Sequence, residues 1–295
     1  APMSALGAQQ GYPGDSRTLP PALARANEAA VGPVGASMRN VHYHADSNVI
    51  LAIRTLEGHL LPARPAAPPW FEDPGSFTIA IDTAAVGVTP ASLGALLNEH
   101  VFNYPDAPIG DLTLSIENGE LKQHGKLRAM LGIPFTIRSV LSVLPDSRLR
   151  LHPTSVKVVG LSVGGLMHLF SVELDDLIRV GRGKGISIDG NDFLLSPTVV
   201  LPPPKIDGKV VAVRIEPTEV VLVFGRKGQA PAPPFGPPDA AHNNYMAFRG
   251  GVLRFGKMIM MDADLQIVDA DARDPFDFYL AQFNRQLDAG ATRNQ

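Results

Sequence analysis

The stretch Gly160-Leu161-Ser162-Val163-Gly164 is where the sequence comes nearest to nucleophilic catalysis. A Gly-x-Ser-x-Gly motif between a strand and a helix exposes the serine oxygen on a sharp turn, where a histidine backed by a carboxylate activates it. His152 and His168 are near in sequence. One lies on a predicted strand before the turn and the other on the helix that follows it, so both are poorly placed to reach the Ser162 oxygen.

The predicted elements also differ from the architecture on which such a hydrolase depends. Enzymes with this motif alternate strands and helices around a parallel sheet, whereas this sequence predicts mostly adjacent hairpins. Ser162 as the N-cap of the following helix explains the same residue, because a serine oxygen accepts a backbone N–H at a helix start. We therefore predict no catalytic residue and no enzyme, and keep a serine esterase that uses Ser162 as an alternative.

Two histidines and an acidic stretch are the candidates for metal ligands. His42 and His44 lie two residues apart on one strand face, and two imidazoles so placed bind a metal when His59 or an aspartate completes the set. The acidic stretch over 262–274 does not follow the calcium-loop template of oxygens, glycine and a final glutamate. We interpret the histidines and the acidic residues as solvated surface groups, and predict no metal and no cofactor.

The glycines of "GRGKG" (181–185) follow a predicted helix and precede a predicted strand. Phosphate loops have the opposite order, a strand that leads into a helix N-terminus. We interpret this stretch as a helix stop.

Composition and charge exclude several classes of protein. The chain has 295 residues, 45% of them hydrophobic, which is enough for a substantial core. A net charge of −3 indicates no nucleic-acid partner, since phosphate binding needs clustered lysine and arginine. There is no cysteine, so disulfides and thiolate sites are excluded.

The elements that position these residues are mainly strands. Residues 112–131, "LTLSIENGELKQHGKLRAML", place leucines and Ile116 on one face and Thr113, Lys122 and His124 on the other. Asn118-Gly119 between the two halves predicts a type I′ hairpin turn. Further strands or hairpins are predicted over 41–63, 76–88, 134–161, 185–195, 209–225 and 245–269.

Helices are few in comparison. Thr89 as N-cap and Pro90 at the first position predict a helix over 89–102. Apolar stripes predict further helices over 163–180 and 274–290, and a short one over 21–30. We assign 1–38 to an irregular segment with that short helix, 39–228 to the main α+β domain, and 229–295 to a Pro-rich loop, strands and a C-terminal helix that pack on it.

Long strands with one apolar face and few helices predict an α+β fold, in which a long, strongly curved antiparallel sheet wraps around one or two helices. Such wrapping leaves an open hydrophobic groove. We predict that inward-facing side chains of adjacent strands and helices bind a ligand there: Phe77, Ile79, Ile81, Leu96, Leu97, Leu114, Ile116, Phe135, Ile137, Leu149, Leu151, Leu166, Leu169 and Phe170.

The order of elements over about residues 39 to 225 resembles the tubular lipid-binding superfamily of the bacterial envelope type. The resemblance is carried by "LRLHPTSVKVVGL", "VGGLMHLFSVELDDLI" and "KVVAVRIEPTEVVLVFG", in which a strand leads into a helix and then into paired strands that end at Gly225. The superfamily has no catalytic signature, so the resemblance implies carriage or sensing of a lipid-like molecule. The region after 229 departs from the family pattern.

The sequence therefore predicts non-catalytic binding and carriage of a lipid or fatty-acid-like ligand, with transient contact with a membrane. A structural scaffold whose groove is filled by its own side chains is the main alternative. The chain begins Ala1-Pro2, and its first forty residues are rich in Ala, Gly and Pro. We expect a periplasmic or secreted protein from which a signal or anchor has been removed, although a trimmed chain has the same appearance.

Overall fold

The computed structural model describes residues 32–65, 67–105, 107, 109–128, 132–158, 185–226, 234–236, 243–269, 271, 273–282 and 292–294. The predicted helices over 21–30 and 163–180 lie outside these residues, as do Ser162, Leu166, Leu169 and Phe170.

Most described residues belong to two mainly antiparallel sheets. The larger sheet has ten strands, numbered here in chain order: β1 (Val34–His44), β2 (Ile50–Pro62), β3 (Phe77–Val88), β10 (Lys205–Asp207), β11 (Val210–Ile215), β12 (Val220–Phe224), β13 (Tyr245–Arg249), β16 (Asp264–Val268), β17 (Phe276–Tyr279) and β18 (Thr292–Asn294). Their order is β11-β12-β3-β2-β1-β13-β16-β18, with β10 paired in parallel to β3 and β17 in parallel to β1.

The smaller sheet has six strands in the order β4-β5-β6-β7-β9-β8. Their bounds are β4 (Ile109–Glu117), β5 (Glu120–Leu127), β6 (Ile133–Val143), β7 (Leu149–Val158), β8 (Ile186–Asp189) and β9 (Asp192–Leu195). A separate two-stranded hairpin consists of β14 (Val252–Phe255) and β15 (Met258–Met261). The predicted α+β class with a mainly antiparallel sheet and few helices is confirmed.

Helix α1 begins as predicted at Thr89, whose hydroxyl accepts a hydrogen bond from the backbone N–H of Ser92 at 3.2 Å. It is α-helical over Pro90–Ala95 and continues as a π-helical turn over Leu96–Val101. Short 3-10 turns cover Pro74–Ser76 and Leu280–Gln282, and a one-turn α-helix covers Pro197–Val200.

The turn between β4 and β5 has the conformation that its residues predict. Asn118 and Gly119 have φ angles of 55° and 75°, as a type I′ turn between β4 and β5 requires. The second half of the stretch predicted as strands over 41–63 is β2, which has 13 residues. Its pairing with β3 is interrupted by register shifts at Ile53/Thr55 and Glu57/Gly58, and such bulges bend a strand.

The predicted N-terminal boundary at residue 38 is wrong, because β1 already begins at Val34. Val34, Ala36 and Met38 are buried in the core of the larger sheet, so the last part of the segment assigned as irregular is strand. Gly35 lies within this strand, where there is little room for a side chain. A Cβ there would lie 3.3 Å from both the Arg249 carbonyl oxygen and the Phe235 ring.

The predicted C-terminal helix over 274–290 is also wrong in its first turns, since Phe276–Tyr279 is strand β17. β13 pairs with β1 over Gly35–Arg39, and β17 pairs with the continuation Val41–His44. β17 thereby pairs with the backbone groups of β1 that β13 leaves unpaired. Phe278 is 2% exposed and packs edge-on against Phe71. In this segment, the strand pattern of alternate buried residues therefore outweighs the helical pattern of apolar residues.

Candidate functional site

A cavity of about 120 Å³ lies between the two sheets. Its walls come from β1, β2, β3 and β12 of the larger sheet and from β4, β5, β6, β7 and β9 of the smaller one. Helix α1 and the segment that joins β9 to β10 complete the lining. The cavity is therefore the place where the apolar faces of both sheets meet.

The wall formed by the larger sheet is entirely hydrophobic apart from one phenol. Alternation along each strand, shifted where bulges occur, directs these side chains to the same side. They are Met38, Tyr43, Leu51, Ile53, Leu56, Ile79, Ile81, Val86, Val88, Val220, Leu222 and Phe224. Burial raises the pKa of the Tyr43 phenol above its ordinary value, so this side chain is neutral.

The wall formed by the smaller sheet contains one strongly polar side chain. Leu114, Leu121, Leu141, Leu149, Leu151 and Leu195 are its apolar members, and Gln123 is the polar one. Gln123 lies on β5 opposite Leu114 of β4, and its Nε2 donates to the Ser139 hydroxyl of β6 at 3.3 Å. Ser139 itself is fully buried.

Helix α1 contributes Leu93, Leu96 and Leu97 to the lining, and Ala45 of the β1–β2 turn contributes as well. Another part of the lining is a Pro-rich strap, defined as residues 196–207. The strap leaves β9 of the smaller sheet and ends in β10, which pairs with β3 of the larger sheet. Because it is attached to both sheets, the strap bridges them along the cavity, contributing Pro197, Val200, Leu201, Pro202, Pro204 and Ile206.

The structure brings seven of the predicted ligand-binding residues together around this cavity. They are Ile79, Ile81, Leu96, Leu97, Leu114, Leu149 and Leu151. Four others lie elsewhere in the core: Phe77 packs against Phe71 with a ring separation of 5.5 Å, and Ile116 is partly buried against the same core. Phe135 and Ile137 belong to a second apolar cluster with Val101, Phe102, Ile109 and Leu127.

Several lining residues were not predicted, although the sequence contained a signal for some of them. Gln123 is at an inward position by period two, between Leu121 and Leu127, and only its polarity argued against including it. Leu93 lies three residues before Leu96 in the helix predicted over 89–102, so helical spacing places both on one face. The strap had no such signal, because a Pro-rich segment has no periodic pattern that indicates which side chains turn inward.

The predicted absence of metal and catalytic sites stays a prediction. Among the described residues, Asp46, Glu99 and His100 form one group with ligand atoms within 4.8 Å of one another. Asp46 also accepts the backbone N–H groups of Asn48 and Val49 at 2.9 and 3.0 Å and bonds to His100, which fastens the β1–β2 turn to the end of α1. His42 and His44 flank Asp277, at 3.5 and 2.8 Å.

No protein-family model, no curated protein and no solved structure matches this chain. Within the described ranges, no helix combines the length and the apolar character that a membrane crossing requires. The candidate site is therefore defined by its geometry and its chemistry.

Proposed function

We propose that this protein binds a hydrophobic ligand in the cavity between its two sheets and carries it without chemical conversion. The proposal rests on one observation, the cavity itself. Its lining consists of apolar side chains from both sheets, α1 and the strap. No side chain among the described lining residues is an acid, a base or a nucleophilic serine, which supports carriage over catalysis.

The cost of leaving such a space empty supports a ligand over a self-filled scaffold. Unfilled cavity volume in a core costs about 24 cal/mol per Å³. A scaffold protein would recover this free energy by filling the space with larger side chains, whereas a carrier recovers it when its ligand binds.

The element order that resembles the tubular lipid-binding superfamily agrees with this proposal. It was inferred from the strand, helix and hairpin pattern of the sequence and implies the same class of activity, carriage of a lipid-like molecule. Export from the cytoplasm and transient contact with a membrane stay predictions from the sequence.

A pair of neighbouring residues on β4 allows a matched test. Leu114 lines the cavity, whereas Thr113 is exposed on the opposite face of the smaller sheet. Leu114→Trp should fill the cavity and reduce affinity for a hydrophobic probe such as toluene at least about tenfold, because the probe and the indole compete for one volume. Thr113→Trp should leave the affinity unchanged.

Calorimetric titration of both variants, after circular dichroism has shown that each retains its strands, measures this difference. Equal affinity of folded Leu114→Trp and wild type would contradict the proposed site. Labelling of Ser162 by a fluorophosphonate would instead favour the esterase.

A further inference from the structure

Gln123 is the one side chain with a carboxamide among the described residues that line the cavity. It projects from β5 into a wall otherwise made of leucines, between the two sheets. Gln123 is partly buried, and its carboxamide is accessible from the cavity. A carboxamide with open hydrogen-bonding positions is a point at which a polar group of a ligand can bind.

The hydrogen bonds of Gln123 within the protein are incomplete. One N–H of the carboxamide donates to the Ser139 hydroxyl at 3.3 Å, which anchors the side chain against β6. Its carbonyl oxygen and its second N–H make no hydrogen bond to a described residue. A carboxamide held in this way offers one acceptor and one donor to a molecule in the cavity.

The rest of the described lining disfavours a charged group at this position. No described lining residue is Asp, Glu, Lys, Arg or His, so a buried carboxylate or ammonium group would have no counter-ion. An unpaired buried ion costs several kcal/mol even after relaxation. A hydroxyl or a carbonyl, in contrast, exchanges its bonds to water for bonds to the carboxamide at little net cost.

The size of the cavity restricts the ligand further. An apolar protein cavity of about 150 Å³ accommodates benzene. At about 120 Å³, this cavity is of similar size and has room for a single ring or a short branched chain.

We infer that the cavity selects a compact, uncharged amphiphile with an apolar body and one hydroxyl or carbonyl group that hydrogen-bonds to the carboxamide of Gln123. This inference rests on the proposed function and makes its ligand class specific. It replaces the fatty-acid-like ligand predicted from the sequence by a neutral one. Ser139 acts as the positioning residue that holds the carboxamide.

Three probes with one ring each separate the contributions of shape, polarity and charge: toluene, benzyl alcohol and benzoate. In calorimetric titrations of the wild-type protein at pH 7, benzyl alcohol should bind at least about tenfold more tightly than benzoate, because only benzoate brings an unpaired charge into the cavity. Equal or tighter binding of benzoate would overturn the inference, and this comparison needs no variant.

The role of Gln123 is tested by Gln123→Met, which keeps the shape of the side chain and removes its hydrogen bonds. The ratio of benzyl alcohol affinity to toluene affinity should fall about fivefold relative to wild type, as expected for one lost hydrogen bond. Thr113→Val, on the exposed face of the neighbouring strand, should leave the ratio unchanged. An unchanged ratio in folded Gln123→Met would overturn the inference.

The outcomes distinguish this inference from the proposed function. If toluene binds to wild type and to Gln123→Met while the alcohol and benzoate show no discrimination, only the ligand class fails. If none of the three probes binds to the wild-type protein, both the ligand class and the proposed function fail.

Discussion

The hydroxyl of Ser37 donates a 2.7 Å hydrogen bond to Oε1 of Glu57 across the β1–β2 pair, while Oε2 of Glu57 is buried without a partner among the described residues. Glu57 is only 6% exposed and follows Leu56, a cavity-lining residue, so it faces the opposite side of the larger sheet. Burial raises the pKa of Glu57 to about 7, although the bond from Ser37 opposes the shift.

This carboxyl should make stability depend on pH. In the unfolded chain, Glu57 titrates near its ordinary pKa of 4.5, whereas in the folded protein it keeps its proton until about pH 7. The folded state therefore binds more protons between these values, and the free energy of unfolding should fall as pH rises through this window, by at most about 1.4 kcal/mol per pH unit. Above the window, the loss from Glu57 should be constant.

Glu57→Gln should remove this dependence, because a carboxamide does not titrate. Urea unfolding of wild type and Glu57→Gln at several pH values between 4 and 8 measures it, and the variant should gain stability relative to wild type as pH rises. Ser37→Ala should extend the fall in the free energy of unfolding to higher pH than in wild type, because it removes the hydrogen bond that favours the ionised form of Glu57. A stability difference between wild type and Glu57→Gln that is independent of pH would refute this account of Glu57.

Ile137 and Leu151 should respond differently to truncation, although both were predicted to bind ligand. Ile137 is 1% exposed in the second apolar cluster, and Ile137→Ala should lower the free energy of unfolding by about 2 to 5 kcal/mol. Leu151 is partly buried beside the cavity, so Leu151→Ala should cost less stability and enlarge the binding space. Thermal unfolding and probe titration of both variants test this, and an equal effect on probe affinity would contradict the assignment of Ile137 to a separate cluster.

Ser162 lies outside the described residues, and its predicted role as a helix N-cap has a direct chemical test. Ser162→Ala should lower the free energy of unfolding by about 1 kcal/mol, as loss of a capping hydroxyl does, and leave probe binding intact. A fluorophosphonate should not label the wild-type protein at this position. Stoichiometric labelling of Ser162, abolished by Ser162→Ala, would contradict the non-catalytic proposal.

Local structure was predictable where single residues determine it. Asn118 and Gly119 specify a turn with two positive φ angles, and Thr89 with Pro90 specifies the start of α1. Phe276 illustrates where such reasoning fails, because "FDFYLAQF" satisfies a helical stripe and a strand alternation at once. The unpaired stretch of β1 that β17 completes decides between them, and it is a non-local feature.

The sequence predicted which side chains of the candidate site face inward, but not how far the cavity extends along each strand. Period two identifies Leu114, Ile137 and Leu151 as inward-facing residues, yet only the packing of the second sheet separates those beside the cavity from those in the filled core. Ile137 is inward and lies where residues such as Val101 and Phe102 fill the space. The position of a cavity along a strand depends on these tertiary contacts. The alternation of apolar and polar residues in the sequence carries no information about them.

Native mass spectrometry of the protein as purified, followed by organic extraction, tests the central claim most directly. We predict a bound mass that organic solvent releases as an uncharged compound, that is absent from Leu114→Trp, and that is present in Thr113→Trp. A wild-type protein that carries no such mass and does not bind toluene or benzyl alcohol would contradict the account and favour a scaffold.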